Sequence, residues 1–266
     1  MSERFSSWQK IEAKQITEAE KIGNDALTII DRTYGSGYPH WESGSCELAY
    51  HNGHHGRSVG KAAVKVCSRL GLLEVEQAVA RMAGRAHDLV QLKGRGIDEA
   101  ESAQWLDQAM ERSTIFPEHL RHMGTSAILG TLPIFKGGVL VDQQANHLNY
   151  LTKEAELVAK SVACGDLESL YIPESPYLSH QLFRETQGML PPKDLSMDKL
   201  TAFQSNQIAL LENYKYPLKE GGQVLATHKK PVVQHAHTVL KKLKEGMFES
   251  WEDVINYDLE FLRKNS

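Results

Sequence analysis

The sequence is poor in cysteine and has no long apolar run. Its 266 residues include three cysteines, Cys46, Cys67 and Cys164, an odd number without CxxC spacing. This argues against a disulfide framework and for a reducing compartment. No stretch approaches the roughly 18 uninterrupted apolar residues of a membrane span. The charged start, MSERFSSWQKIEAK, lacks the apolar segment of a secretory signal peptide, so a cytoplasmic protein is expected.

Positive charge is also not in excess. Lys and Arg total 30 against 34 Asp and Glu, which gives a net charge of -4 and argues against a general nucleic-acid surface. The glycine-rich loops GxxxxGK[ST] and GxGxxG of nucleoside triphosphatases and dinucleotide sites do not occur. With 41% hydrophobic and 24% charged residues, the composition is that of a globular protein, in which twelve histidines are unusual.

Apolar residues recur at helical spacing along most of the chain. Residues 74–92 show this best, with one stripe that includes Val75, Val79, Met82 and Leu89. Strand alternation is scarce, and VLVD at 139–142 is too short to predict a strand. The pattern predicts a single all-α domain over residues 1–266, in which C-terminal helices over 230–265 pack on the rest. Predicted helices cover about 17–33, 50–70, 74–92, 99–112, 142–164, 196–215, 230–245 and 250–263, and one more begins near Pro117.

Three short segments carry the residues best suited to metal chemistry. The first is Tyr50-His51-Asn52-Gly53-His54-His55, in which His51 and His55 share a face if the segment is helical. These two histidines could serve as one metal ligand and one catalytic acid, or as two ligands. The alternative is a set of surface histidines.

The second segment, Ala86-His87-Asp88-Leu89, places a histidine and an acid in an apolar helix. A buried ionised aspartate costs several kcal/mol unless it meets a cation, and a structural His–Asp hydrogen bond is the alternative to a metal. The third, Cys164-Gly165-Asp166-Leu167, ends a helix of small and apolar residues with one acid, which could instead face solvent. Imidazole and carboxylate together suit transition metals, Mg or Mn.

The order His55, His87-Asp88, Asp166 matches the H…HD…D signature of the HD superfamily of metal-dependent phosphohydrolases, which the sequence resembles over about residues 48–217. The segment Tyr50–His55 resembles the YHNxxH motif of class I cyclic nucleotide phosphodiesterases, and the segment Cys164–Leu167 resembles their CADL motif. Gln207, in QIALLENYKYPL before Pro217, resembles their base-binding glutamine. The segment that ends at Thr131 resembles a helix end of the same family.

The resemblance implies an all-α HD-type bundle that hydrolyses a phosphodiester. It implies one or two divalent ions (Zn, Fe, Mn, Ni or Mg) held by four residues: His55, His87, Asp88 and Asp166. Asp88 would bridge to a second ion and its water. His51 would protonate the leaving alkoxide, and Gln207 would face the base. The expected partner is a small phosphorylated substrate, such as a nucleotide. A homodimer is left open.

The sequence also departs from the family. Gln91 stands where a histidine near the second metal is expected, and Leu210 stands where a phenylalanine clamps the base, which predicts weak base discrimination. Glu101 is a candidate to orient the water, and Thr131 is a further residue behind the site. Asp142 is the reserve candidate for the fourth ligand.

Three other functions stay open on the same residues. One is a nucleotidase or other phosphomonoesterase with the same metal core and another pocket. Another is an HD-type di-iron oxygenase, which would need extra histidine ligands such as His119, His122 and His147. The last is a domain that binds a nucleotide without catalysis.

Overall fold

The protein is all-α. The computed structural model describes residues 2–36 and 48–266, with side chains from residue 9 onward. None of the helices in these ranges has the length and apolar character needed to cross a bilayer. The elements are α1 (Ser2–Thr33), α2 (Gly53–Leu70), α3 (Glu74–Ala86), α4 (Ile97–Ser113), α5 (Glu118–Leu129), β1 (Pro133–Lys136), β2 (Val139–Gln143), α6 (Lys153–Asp166), α7 (Ser175–Thr186), α8 (Met197–Asn213), α9 (Lys219–Leu225), α10 (Lys229–Lys244) and α11 (Trp251–Asn265).

Several element boundaries differ from the sequence-based expectation. Residues 139–142 do form a strand, because Gly137 and Gly138 take positive φ angles of 60° and 81° and turn the chain into a hairpin. In this hairpin Pro133 is opposite Gln143 and Lys136 is opposite Val139. Helix α6 therefore begins at residue 153 and not near 142. Helices α7 and α9 were not expected. Residues 37–47, which include Cys46, lie outside the described part of the chain.

The helices fall into two groups, each around its own apolar cluster. Helices α1 to α6 enclose the larger cluster, with fully buried side chains such as Ile30, Val59 and Leu106. Helices α7, α8, α10 and α11 enclose another, which includes Phe183, Leu200, Val239 and Trp251. Helix α10 packs on α8, and α11 packs on α7. The candidate ligands His55, His87, Asp88 and Asp166 lie on α2, after α3 and on α6. Asp166 lines a cavity that residues of α7 and α8 also line.

Glycines let α2 approach α3 and α6 very closely. A Cβ atom on Gly84 of α3 would lie 2.9 Å from the Cα of Gly60 in α2. A Cβ atom on Gly165 of α6 would lie 2.8 Å from the carbonyl oxygen of Val59. Any larger residue at these positions would push the helices apart, since their backbones are in contact. This close packing brings the functional ends of the three helices to one place.

Candidate metal centre and adjoining cavity

His55 is fixed by the start of α2. Asn52 caps this helix, and its side-chain oxygen accepts from the backbone N–H groups of His54 and His55, at 3.0 and 3.4 Å. The helix therefore begins at Gly53, and His51 precedes it. The expectation that His51 and His55 share a helix face is wrong for that reason. Their rings nevertheless meet, with centroids 5.8 Å apart.

His87 and Asp88 lie just beyond the end of α3, which stops at Ala86 and does not continue to residue 92. The Nδ1–H group of His87 donates to the carbonyl oxygen of Gly84 at 2.9 Å, because a carbonyl can only accept. This bond leaves Nε2 as the nitrogen available to a ligand, the arrangement usual for metal-binding histidines. The end of the helix also lets adjacent residues face one point, which the interior of a helix does not allow.

Four side chains from α2, the α3 end and α6 converge. His55, His87 and Asp166 each offer a donor atom within 4.8 Å of the other two, so this group could hold a metal ion. Asp166 Oδ1 lies 3.2 Å from Nε2 of both histidines. Asp88 Oδ2 lies 3.1 Å from Nε2 of His87 and 3.5 Å from that of His55. Donors that share an ion at about 2.0–2.2 Å stand about 3–3.6 Å apart, which these spacings match.

Two buried polar atoms in the cluster are unsatisfied. Nε2 of His87 and Oδ2 of Asp88 find no hydrogen-bond partner within the described part of the chain, although they lie close together. A buried polar atom without a partner costs about 1–3 kcal/mol, more if it is charged. The orientation that is poor for hydrogen bonding suits two donors aimed at a common ion. The donor set therefore fits a divalent metal.

The electrostatics of the cluster favour a cation. Burial alone would raise the pKa of Asp88, but His87 and His51 hold it well below its usual range. Burial also opposes ionisation of Asp166, but the hydrogen bond from His55 and the charge of His87 keep its pKa low. Burial would lower the pKa of His87, yet the charge of Asp88 raises it well above the usual value. Two partly buried carboxylates thus draw in positive charge, which either protons or a metal ion can supply.

Glu185 is a site residue that the sequence did not reveal. Its Oε1 accepts from Nδ1 of His51, and its Oε2 accepts from the backbone N–H groups of Tyr50 and His51, at 2.8 and 3.1 Å. Burial would lower the pKa of His51, but Asp88 and the hydrogen bond to Glu185 raise it to about 9. Glu185 belongs to α7 and is 134 residues away in sequence, without a motif of its own.

A cavity of about 230 Å³ opens beside the cluster and runs between the two groups of helices. His51 and Asp166 line it at one end, and Gln207 and Leu210 of α8 line it as well, so these predicted residues share one space. The rest of the wall is largely apolar, with Phe135, Leu140, Leu167, Leu170, Pro176, Leu182, Leu211 and Val232.

Gln207 is half-buried, whereas Gln204, one turn earlier on α8, is buried and has both amide atoms bonded. Gln204 Nε2 donates to the Ala236 carbonyl, and its Oε1 accepts from His180. The glutamine bonded within the bundle is therefore Gln204, which leaves Gln207 as the candidate to meet a ligand.

Other predicted residues lie outside these contacts. Glu101 pairs with Lys93, and its side chain is 40% exposed. The Thr131 hydroxyl donates to the Ile128 carbonyl at the end of α5. Asp142, the reserve ligand, instead accepts from Asn146 on the hairpin side of the chain.

The three extra histidines are also engaged elsewhere. His122 contacts Ser126, and His147 contacts Asp142 at 2.9 Å. His119 lines a separate groove with Glu12 and Glu76. This placement gives no support to the additional ligand set that a di-iron oxygenase requires.

Comparison of the chain with protein-family models, with curated proteins and with solved structures gave no match. The class defined by fold and site is thus an all-α protein with a candidate metal centre beside a largely apolar cavity.

Proposed function

We propose that this protein is a metal-dependent phosphohydrolase of the HD type, and that its substrate is a phosphodiester with an apolar or planar substituent, such as a cyclic nucleotide. The observation that carries the proposal is the pair of unsatisfied buried atoms, His87 Nε2 and Asp88 Oδ2. They belong to a cluster whose Asp166 lines the cavity together with His51. His55, His87, Asp88 and Asp166 would hold the ion. When bound, it would supply an activated water and neutralise developing charge.

His51 would act as the general acid. Its Nδ1 is bonded to Glu185, so Nε2 is the nitrogen left for the cavity that His51 lines. With a raised pKa, the imidazolium form persists at neutral pH. Nε2–H would give its proton to the leaving alkoxide as the P–O bond breaks. Neutral His51 would keep Nδ1–H on Glu185 and regain the other proton from water.

The charge of the cavity favours a diester over a monoester. Among the described residues that line it, none is Lys or Arg. A phosphomonoester carries about -1.5 to -2 charges at pH 7, and nucleoside diphosphates and triphosphates carry more. A diester carries only one negative charge, so it makes the smaller demand on a cavity in which His51 is the cationic side chain among the described lining residues. We therefore favour the phosphodiesterase function over the nucleotidase function.

The far end of the cavity would hold the organic part of the substrate. The Gln207 amide can both donate and accept, which suits the edge of a planar ring. Leu210 offers apolar contact without the stacking of an aromatic clamp, which is worth about 0.5–1.5 kcal/mol beyond area burial. A nucleotide would thus bind with weak discrimination between bases.

The test begins with purified protein, whose metal content is measured first. The protein is then assayed with Mn²⁺ on bis(p-nitrophenyl) phosphate, cyclic nucleotides and nucleoside monophosphates. We expect turnover of diesters and little turnover of monoesters. Asp88→Ala should lose the ion and almost all hydrolysis, while the far-UV spectrum stays helical, because a ligand is lost but the helices do not depend on it.

The matched control is Asp107→Ala, which removes a half-buried carboxylate that pairs with Arg121 on α5, away from the centre. It should keep metal and activity. Full activity and metal content in Asp88→Ala would refute the proposed centre. Turnover of monoesters alone would transfer the function to the nucleotidase class.

A further inference from the structure

We infer that the centre is built for a single ion, and that Gln91 and Gln143 are the positioning residues that restrict it to one. The inference rests on the metal centre of the proposed function and adds the number of ions it takes. It concerns the outer oxygens of the two aspartates, which face away from the histidines. In a two-ion centre a carboxylate bridges the ions, which lie about 3.5–4 Å apart, with one oxygen on each.

Gln91 occupies the outer oxygen of Asp88. Its side-chain Nε2 donates to Asp88 Oδ1 at 2.7 Å, while Oδ2 faces the two histidines. The backbone N–H of Gln91 donates to the Tyr34 hydroxyl at 3.1 Å, which ties this turn to α1. An amide hydrogen on Oδ1 places partial positive charge where a second ion would bind. Asp88 is therefore held as a ligand through one oxygen.

Gln143 lies against the outer oxygen of Asp166 in the same way. It is 1% exposed, and its Nε2 lies 3.4 Å from Asp166 Oδ2 as donor. Tyr214 fixes the orientation of this amide, since its hydroxyl donates to Oε1 of Gln143 at 2.7 Å. The amide N–H is thus directed at the aspartate. Asp166 Oδ1 is left between the two histidine nitrogens, 3.2 Å from each.

No second donor set adjoins this one within the described residues. The one group of at least three His, Cys, Asp or Glu donors close enough to share an ion is His55, His87 and Asp166. A second ion would therefore rely on Asp88 Oδ1, which Gln91 already occupies, and on water. The two amides and the missing donors together favour one ion with four protein ligands.

The number of ions can be counted directly. Chelator-treated protein is equilibrated with Mn²⁺, bound Mn²⁺ is counted by elemental analysis after dialysis, and the electron paramagnetic resonance spectrum is recorded. The wild type should bind one Mn²⁺ per chain and give the signal of an isolated ion. Gln91→Glu replaces the amide donor with a carboxylate ligand, so it should bind two and give the spectrum of a coupled pair.

The control is Gln104→Glu, which adds the same charge at an exposed position on α4 and should bind one ion. A coupled pair in the wild type would overturn this inference and leave the phosphohydrolase proposal intact. One ion in a folded Gln91→Glu would also overturn it. If the wild type binds none, both the centre and this inference fail. The wild-type count is decisive even if Gln91→Glu does not fold.

Discussion

At the scale of single residues, the most informative contact is that between His51 and Glu185. It holds the imidazole by one nitrogen and fixes the turn before α2 through two backbone bonds. A carboxylate hydrogen-bonded to imidazole stabilises the protonated ring, which a general acid needs. The contact therefore links the shape of the Tyr50–His51 turn to the protonation state of His51.

This link predicts the pH dependence of hydrolysis. The acid form of His51 is present below its pKa and is lost as the pH rises through it, so kcat/KM should fall on the alkaline side, at or below about pH 9. An ion beside Asp88 would offset part of the charge that raises this pKa. Glu185→Gln removes a second cause, and we expect the alkaline limb to move down by about 1–3 pH units.

Two variants frame that measurement. His51→Ala should show no such limb and a rate lower by about 10²–10⁴-fold. Glu212→Gln, which breaks an exposed pair with His237, should leave the pH profile unchanged. An unmoved limb in Glu185→Gln would remove His51 from the role of acid.

At the scale of elements, contact between helix backbones decides the geometry of the centre. Gly60 and Gly84 let α2 and α3 touch, and Gly165 lets α6 approach α2 directly before Asp166. His55, His87 and Asp166 each lie within about a turn or two of one of these contacts. A shift of the helices would therefore move the donors relative to one another.

Gly84→Ala tests this dependence. The new Cβ would meet the Gly60 Cα at 2.9 Å, and since that atom is backbone the two helices must separate. We expect the free energy of unfolding to fall by about 1–3 kcal/mol and the affinity for Mn²⁺ to fall with it. Denaturant titration and metal titration measure the two effects.

The matched control for that variant is Gly222→Ala in α9. Its Cβ would have Tyr216 Cδ2 as nearest neighbour at 3.7 Å, an ordinary contact. Stability should rise slightly, because alanine favours a helix, and metal affinity should stay the same. If Gly84→Ala lowered neither the free energy of unfolding nor the affinity for Mn²⁺, close packing would not set the geometry of the centre.

At the scale of the whole molecule, a buried charge network ties the C-terminal helix to the cavity wall. Asp258 of α11 is 1% exposed and accepts from His180 of α7 and from His235 of α10. His180 in turn contacts Gln204 of α8, which lines the cavity. Burial would raise the pKa of Asp258, but the two histidines hold it below its usual value.

A lowered carboxyl pKa stabilises the fold above the pKa of the unfolded chain, about 3.9, and this contribution is lost as the pH falls through the folded value. Asp258→Asn should therefore lower the free energy of unfolding at pH 7 by about 3–5 kcal/mol, since it breaks a buried pair. The difference in free energy of unfolding between this variant and the wild type should become smaller below about pH 4. Urea titrations across pH measure this.

The exposed Glu252 on the same helix provides the comparison. Glu252→Gln should unfold at the wild-type urea concentration at every pH. A difference between Asp258→Asn and wild type that stayed constant to pH 2 would assign the loss to packing and not to the charge of Asp258.

Part of the site was within reach of the sequence. His55, His87 and Asp166 are among the four ligands that the resemblance to the H…HD…D signature implies, and the structure brings these three together. Gln91 was singled out as a departure, but its contact with Asp88 depends on how the chain turns after Ala86. Glu185 and Gln143 could not be predicted, since glutamate and glutamine are common and their partners are remote in sequence.

The all-α class and the residue types able to bind a metal can both be inferred without the structure. Both follow from local properties: the 3.6-residue period of apolar side chains and the chemistry of imidazole and carboxylate. Folding sets where helices end, which oxygens of Asp88 and Asp166 are free, and that His51 shares a cavity with Gln207. These depend on helix–helix packing and on hydrogen bonds between distant segments, which no local pattern encodes.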